Sequence, residues 1–115
     1  MKLEVRQLPK EVRLIKIEGD LDIAGVGAIE TRFYAQCGGD RPLLLVDLSG
    51  IGFVASLGIR LLLQAIKTVS ARGGRLVLLN PQKIVHSAIE ISGLGRFMLQ
   101  GSEDEGAAAL LKVAK

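Results

Sequence analysis

The chain is short of the residues that several classes of protein require. It has one cysteine, one histidine, no tryptophan, three phenylalanines and one tyrosine among 115 residues. A single cysteine excludes an internal disulfide, and with one histidine it supplies no metal-ligand set, so we expect no metal site. So few aromatic side chains provide no platform for stacked bases, and a net charge of +3 is too small to indicate nucleic acid.

Long apolar runs are also absent. No run approaches the roughly 18 residues that a membrane-spanning helix needs, and the N-terminal sequence MKLEVRQLPKEV lacks the apolar segment of a signal peptide. Together with the missing disulfide, these absences predict a cytoplasmic protein without an integral membrane segment. Hydrophobic residues still make up 49% of the chain, which predicts one folded domain over residues 1–115.

The hydrophobic pattern predicts an α/β domain with the element order ββαβαβαβα. Two alternating segments, residues 3–8 and 12–18, predict an antiparallel hairpin, and Gly19-Asp20 is expected to end its second strand. The helix over residues 57–71 is apolar nearly all round, so we expect it to be mostly buried. The other predicted elements are a helix over 23–36 capped by Asp22, strands over 43–48 and 75–79, a short helix from Pro81 to Ile91, an edge strand over 97–99 and a final helix capped by Ser102.

Residues 49–55 predict a small-residue loop that delivers one hydroxyl, Ser56, to the start of the next helix. A helix N-terminus has unpaired N–H groups and the positive end of the helix dipole, so it favours an anion. Phosphorylation would add about −1.5 to −2 charges there, which makes Ser56 a candidate switch. The alternative is a plain N-cap, which stabilises the helix by about 1 kcal/mol and carries no signal.

Two patterns beside Ser56 imitate enzyme motifs without the residues that would complete them. Gly50-Ile-Gly52-Phe-Val-Ala55 matches the glycine spacing of a dinucleotide site, but residues 57–85 contain no acid to hold the ribose. Val54-Ala-Ser56-Leu-Gly58 is similar to a hydrolase elbow, but no acid separates the serine from His86. We therefore expect no catalytic residue and no cofactor, and nucleotide binding by the glycine loop stays open as a hypothesis.

The segment VDLSGIGFVASLGIRLLLQAIKTVSARGGRLVLLNP, residues 46–81, resembles the STAS domain of anti-sigma factor antagonists. So do Gly19-Asp20-Leu21-Asp22 and Ile91-Ser92-Gly93-Leu94, and the resemblance therefore spans nearly the whole chain. It implies a STAS-type single domain, with a mixed sheet of four or five strands and about four helices packed mainly on one side.

The resemblance also implies a function and a site. In that family the serine at the start of the helix after the third strand is phosphorylated by an anti-sigma factor serine kinase. The unphosphorylated domain binds the kinase and frees the sigma factor, the phosphorylated domain lets go, and a serine phosphatase resets the switch. By position this serine is Ser56, and the implied partner surface comprises Asp20, Asp22, Phe53, Ala55, Ser56, Leu57, Gly58 and Arg60.

The loop around the serine departs from the family pattern. The usual Asp-Ser-Ser/Thr-Gly is here Ala55-Ser56-Leu57-Gly58, without the acid and the second hydroxyl. The loss favours an alternative within the same structural class, a non-phosphorylated STAS subunit of a lipid-transport ATPase or of a stress-signalling scaffold. Asp20 and Asp22 likewise keep two interpretations, as turn and cap residues or as the border of the partner surface.

Overall fold

Five strands form one mixed sheet, in the order β1-β2-β3-β4-β5, in the computed structural model, which describes residues 1–112. The first pair is antiparallel and every later pair is parallel. The strands are β1 (Lys2–Gln7), β2 (Val12–Leu21), β3 (Leu43–Val54), β4 (Arg75–Leu79) and β5 (Met98–Leu99). The helices are α1 (Ile23–Ala35), α2 (Ser56–Ala71), α3 (Lys83–Ile91) and α4 (Glu103–Leu111), with 3₁₀ turns at Pro9–Glu11 and Gly95–Phe97.

The predicted α/β class and element order are confirmed. No α-helix in residues 1–112 combines the length and the apolar character needed to cross a bilayer.

Three helices, α1, α2 and α3, pack on one face of the sheet over the main core, and α4 packs on the other face over a smaller core. The predicted arrangement, with helices mainly on one side, is therefore confirmed. The smaller core consists of Val12, Leu14, Leu45, Leu79 and Leu110.

Two strands are longer than the sequence pattern predicts. Strand β2 passes through Gly19-Asp20 and ends at Leu21, and β3 runs to Val54. The predicted break at Gly19-Asp20 is therefore wrong, and so is the predicted loop over residues 49–55. Both segments look irregular in isolation and become strands because they pair with each other.

The pairing of the two extensions explains the error. Glu18 lies opposite Gly50 and Leu21 lies opposite Val54, so each extension supplies hydrogen-bond partners to the other. The register between β2 and β3 shifts around Gly19, whose φ is +119°. These shifts are β-bulges, and they accommodate the residues that interrupt the alternating pattern. The carboxyl ends of β2 and β3 are thereby carried together to one edge of the sheet.

Helix α2 is amphipathic, so the prediction that it is mostly buried is wrong. Six of its 16 residues are buried, and they line the face that packs on the sheet. The first turn is exposed at Ser56 and Leu57, and Arg60 is exposed one turn further along. One face of a helix is enough to cover the sheet, so the other face remains available to a partner.

The predicted helix caps are confirmed at two positions. The Asp22 side chain accepts a hydrogen bond of 2.8 Å from the Gly25 N–H, which satisfies one free donor at the start of α1. Ser102 and Glu105 form a reciprocal capping box at the start of α4. Both caps are local features, which is why the sequence predicts them well.

Two predicted boundaries near the end of the chain are wrong by a few residues. Helix α3 begins at Lys83 with Gln82 as N-cap, so Pro81 lies before the helix rather than in its first turn. Phe97 belongs to the 3₁₀ turn, and the edge strand β5 is only two residues long. Residues 113–115, which the predicted domain of 1–115 includes, lie outside the described part of the chain.

Candidate functional site

The ends of β2 and β3 place the N-termini of two helices side by side. The Ala55 N–H donates a hydrogen bond of 2.9 Å to the Leu21 carbonyl, which joins the two strand ends. Helix α1 starts directly after β2 with Asp22 as N-cap, and α2 starts directly after β3 with Ala55 as N-cap. The edge therefore presents two sets of helical N–H groups and two positive dipole ends close together.

Ser56 is the first residue of α2 and is exposed. The N-cap is Ala55, which has no side-chain hydrogen bond to the helix, so the interpretation of Ser56 as a plain N-cap is wrong. Among the side-chain hydrogen bonds of residues 1–112, none involves the Ser56 hydroxyl. The hydroxyl is thus free to react or to be covered, at a point where added negative charge meets the N-terminus of a 16-residue helix.

Exposed apolar side chains surround this serine. Phe53 is 48% exposed at the end of β3, and Leu57 is 36% exposed beside Ser56. Ile23, the first residue of α1, is 75% exposed. Large apolar side chains that are exposed beside the N-termini of two helices are typical of a surface that another protein covers.

Ile23 is exposed at the same edge of the sheet, although the sequence pattern does not mark it. It reads as an ordinary apolar position of α1, because the helical pattern by itself does not show which way the first turn points. The signal in the sequence is its place directly after a capping aspartate. A side chain at the first helical position lies above the strand end and outside the core.

The two acidic residues have different environments. Asp22 is half-buried, and its carboxylate is engaged as the cap of α1. Asp20 is exposed opposite Phe53, and its Oδ1 lies 3.4 Å from the point where a Cβ on Gly52 would stand. The cap interpretation of Asp22 is therefore confirmed, and Asp20 borders the same apolar surface as Phe53.

Arg60 is exposed one turn after Ser56 and lies toward α1. Burial raises the pKa of Tyr34 on α1, the charges of Glu30 and Cys37 add to the rise, and the charge of Arg60 acts against it. Arg60 is therefore near enough to α1 for its charge to reach Tyr34. It is the one basic residue among the eight that the resemblance assigns to the partner surface.

Gly58 sets the close approach of α2 to β2. A Cβ at this position would lie 2.6 Å from the Leu21 carbonyl oxygen and 2.7 Å from Val54 Cγ2. No larger residue fits without moving the helix, so Gly58 is buried and acts through backbone position rather than by contact with a partner. It fixes how closely the first turn of α2, which carries Ser56, approaches the end of β2.

The geometry does not match the two enzyme motifs that the sequence imitates. Gly50 and Gly52 lie within β3, paired with β2, rather than in a turn that would wrap a phosphate. His86 is half-buried on α3, in a different element from Ser56. Among residues 1–112 there is no group of three or more His, Cys, Asp or Glu side chains placed to hold a metal ion.

Comparison with known families identifies the class of protein that this fold and site define. The STAS domain model matches residues 3–108, so the chain belongs to the STAS domain family. The family predicted from the sequence and the STAS fold are both confirmed.

Proteins named as anti-sigma factor antagonists are among those that the chain is similar to. The chain is 28% identical over 106 residues to the anti-sigma F factor antagonist of Lysinibacillus sphaericus, covering 91% of each chain. Its fold matches the anti-sigma factor antagonist SpoIIAA in its unphosphorylated form with a TM-score of 0.82 at 24% identity, covering 99% of this chain and 100% of that one. The phosphorylated form of SpoIIAA, a Bacillus cell fate determinant, gives a TM-score of 0.75 at 24% identity, covering 94% and 98%.

Proposed function

We propose that this protein is an anti-sigma factor antagonist that binds an anti-sigma factor with serine kinase activity and thereby releases the sigma factor. Phosphorylation of Ser56 by that kinase ends the binding, and a serine phosphatase restores it. In this proposal the protein is a binding module and a kinase substrate, with no catalytic step of its own. The observation that carries the proposal is the exposed, unbonded Ser56 hydroxyl at the start of α2, among exposed apolar side chains.

The contact with the partner would be mainly apolar at its centre. A partner that buries Ile23, Phe53 and Leu57 would remove their apolar surface from water. Each Å² removed stabilises the complex by about 25 cal/mol. Asp20 and Arg60 would lie at the polar rim, where charges steer the encounter more than they hold the complex. We call this surface the Ser56 face; its members are Asp20, Asp22, Ile23, Phe53, Ala55, Ser56, Leu57 and Arg60, and the buried Gly58 holds it in place from beneath.

A phosphate on Ser56 would oppose such a contact while leaving the domain folded. The helix N-terminus stabilises the added charge by about 0.3–1 kcal/mol at the surface, so the domain tolerates it. In a complex, however, the phosphate would have to lose its water among apolar side chains such as Phe53 and Leu57. The same modification is therefore mild for the free protein and costly for the complex, which is what a switch requires.

Leu57 makes the Ser56 face more apolar than the family pattern implies. Where the family pattern has a second hydroxyl, this chain has a leucine that is 36% exposed. Its partner must therefore present an apolar surface at that point, because a buried hydrogen-bonding group opposite a leucine would be left unsatisfied. Ala55, which replaces the usual acid, is half-buried and removes a negative charge next to the serine.

The proposal is tested by the affinity of two variants for the purified anti-sigma factor kinase of the same cell, measured by titration calorimetry. Ser56→Glu should weaken binding by at least about tenfold, which is 1.4 kcal/mol. Ser70→Glu is the matched control, because Ser70 is exposed on the same helix at its other end and should leave affinity unchanged. Equal binding by Ser56→Glu and the wild type would contradict the proposal.

A second candidate function follows from the altered loop. The absence of the acid and the second hydroxyl at Ala55 and Leu57 favours a STAS subunit that binds constitutively, in a lipid-transport ATPase or a stress-signalling complex. In that case the Ser56 face would still be the contact, but no condition would place a phosphate on Ser56. The two candidates thus share a surface and differ in its regulation.

A further inference from the structure

Helix α3 exposes two isoleucines that the described part of the chain does not cover. Ile84 is 63% exposed and Ile91 is 87% exposed, the highest value among the exposed large hydrophobic residues of residues 1–112. They are seven positions apart, which is close to two full turns, so both lie on one side of the helix. The main core is contacted by the other side, through Val85 and Ile89.

We call the surface formed by these two isoleucines the Ile84–Ile91 stripe, and it is symmetric about the middle of the helix. Ser87, which is exposed, and Ala88, which is half-buried at the edge of the main core, lie between Ile84 and Ile91, and both are small. If a second α3 runs antiparallel across the first, Ile84 of one copy meets Ile91 of the other, and this happens twice. The small central residues allow the two helix axes to approach to about 8 Å, the short end of the range for packed helices.

The charges beside the stripe have the same symmetry. Lys83 and Glu90 are exposed, are also seven residues apart and lie on one flank of the isoleucines. Neither forms an ion pair within the described part of the chain, where the salt bridges are Lys2–Glu18 and Arg6–Glu103. A two-fold antiparallel pairing brings the same flank of both copies together and places Lys83 of each copy opposite Glu90 of the other, whereas a parallel two-fold pairing would put the two charged flanks on opposite sides of the contact.

We propose that this chain self-associates through α3, with a second copy as the occupant of the Ile84–Ile91 stripe. The contact is isologous, since the same surface serves both copies. A helix of nine residues is only about 13.5 Å long, so the contact falls short of the about 1,200–2,000 Å² that stable interfaces bury. The dimer is therefore reversible and depends on protein concentration.

Sedimentation equilibrium of the purified chain tests this proposal without any other protein. The mean mass should rise from the 12.3 kDa of the monomer toward twice that value as the concentration increases. Ile91→Lys should weaken the association by at least about tenfold, and a cation near the helix C-terminus leaves α3 folded. Val5→Lys is the matched control, because Val5 is 40% exposed on β1 and its substitution should not change the mass.

Reversal of the charges at Lys83 and Glu90 is a second, independent test of the proposal. Lys83→Glu should weaken the dimer because it places two carboxylates together, and the double variant Lys83→Glu/Glu90→Lys should restore it. A mass of 12.3 kDa up to millimolar concentration would overturn the proposal. Association of Ile91→Lys equal to that of the wild type would also overturn it, since the contact would then lie elsewhere. Neither result bears on the Ser56 face, so the proposed function is tested separately.

Discussion

Cys37 is a buried thiol whose ionisation opposes folding at high pH. It is fully buried at the end of α1, and burial raises its pKa from 9.0 to about 11, although the charge of Arg13 acts to lower it. The unfolded chain loses this proton first, so stability is complete below about pH 9 and declines as pH rises to 11. The two-unit difference corresponds to a loss of about 2–3 kcal/mol.

The prediction for Cys37 is checked by urea unfolding at several pH values between 8 and 11.5, in the wild type and in Cys37→Ala. The wild type should lose more stability across this range than the variant does, because the variant has no thiol to ionise. Comparing the slopes removes the constant cost of the smaller side chain. Parallel curves for the two proteins would contradict the assignment.

At single residues, the sequence predicts best where the structure depends on near neighbours. The caps Asp22 and Ser102 follow from their own helices and are found as predicted. Whether Ser56 caps α2 depends on where β3 ends, which is decided by pairing with β2, and the structure places Ala55 at the cap, so the alternative interpretation of Ser56 as a plain cap is wrong. Ile23 was missed for a similar reason, because its exposure follows from how α1 leaves the strand.

At the scale of elements, the position of α2 depends on Gly58. In Gly58→Ala the new methyl would collide with the Leu21 carbonyl oxygen, 2.6 Å away, so α2 must shift at its serine end. We expect a loss of about 1–3 kcal/mol of stability from this overpacking. Partner affinity should fall as well, because the shift moves Ser56 and Leu57.

Gly27→Ala in α1 is the control for this prediction. A Cβ at Gly27 meets nothing within 4 Å, so the substitution should stabilise the protein by about 0.5–1 kcal/mol through helix propensity. Thermal unfolding of both variants measures the contrast. The account of the α2 contact would be wrong if the two alanines had effects of the same sign.

The order of elements was predictable because most of the helices and strands carry a local signal. Alternation marks β1 and β2, continuous apolar runs mark β3 and β4, and capping residues mark the starts of α1 and α4. The extensions of β2 and β3 were not predictable from one segment at a time. Gly19 and Gly50 are turn signals locally, and only the register between the two strands makes them part of a sheet.

At the scale of the whole molecule, the sheet connects two cores on its opposite faces. Leu110 of α4 is 2% exposed and anchors the smaller core, while Tyr34, the one tyrosine, packs against the main core on the other face. Leu110→Ala should cost about 2–5 kcal/mol through lost burial and a cavity. Since the strands are shared, the domain should unfold as one unit.

Urea unfolding of Leu110→Ala, followed by far-UV circular dichroism and by Tyr34 fluorescence, checks this cooperativity. Both signals should move to the same lower urea midpoint, even though the substitution and the tyrosine are on opposite faces of the sheet. A lower midpoint in circular dichroism alone would mean that α4 and the smaller core unfold independently.

The central claim is that phosphate on Ser56 switches the Ser56 face between a bound and an unbound state. The most direct measurement is the phosphate content of Ser56 in protein purified from its own cells, under inducing and resting conditions, by intact-mass and peptide mass spectrometry. The account predicts a phosphate on Ser56 whose occupancy changes with the condition. An unmodified Ser56 under every condition would contradict the switch and leave the constitutive STAS subunit as the function of this surface.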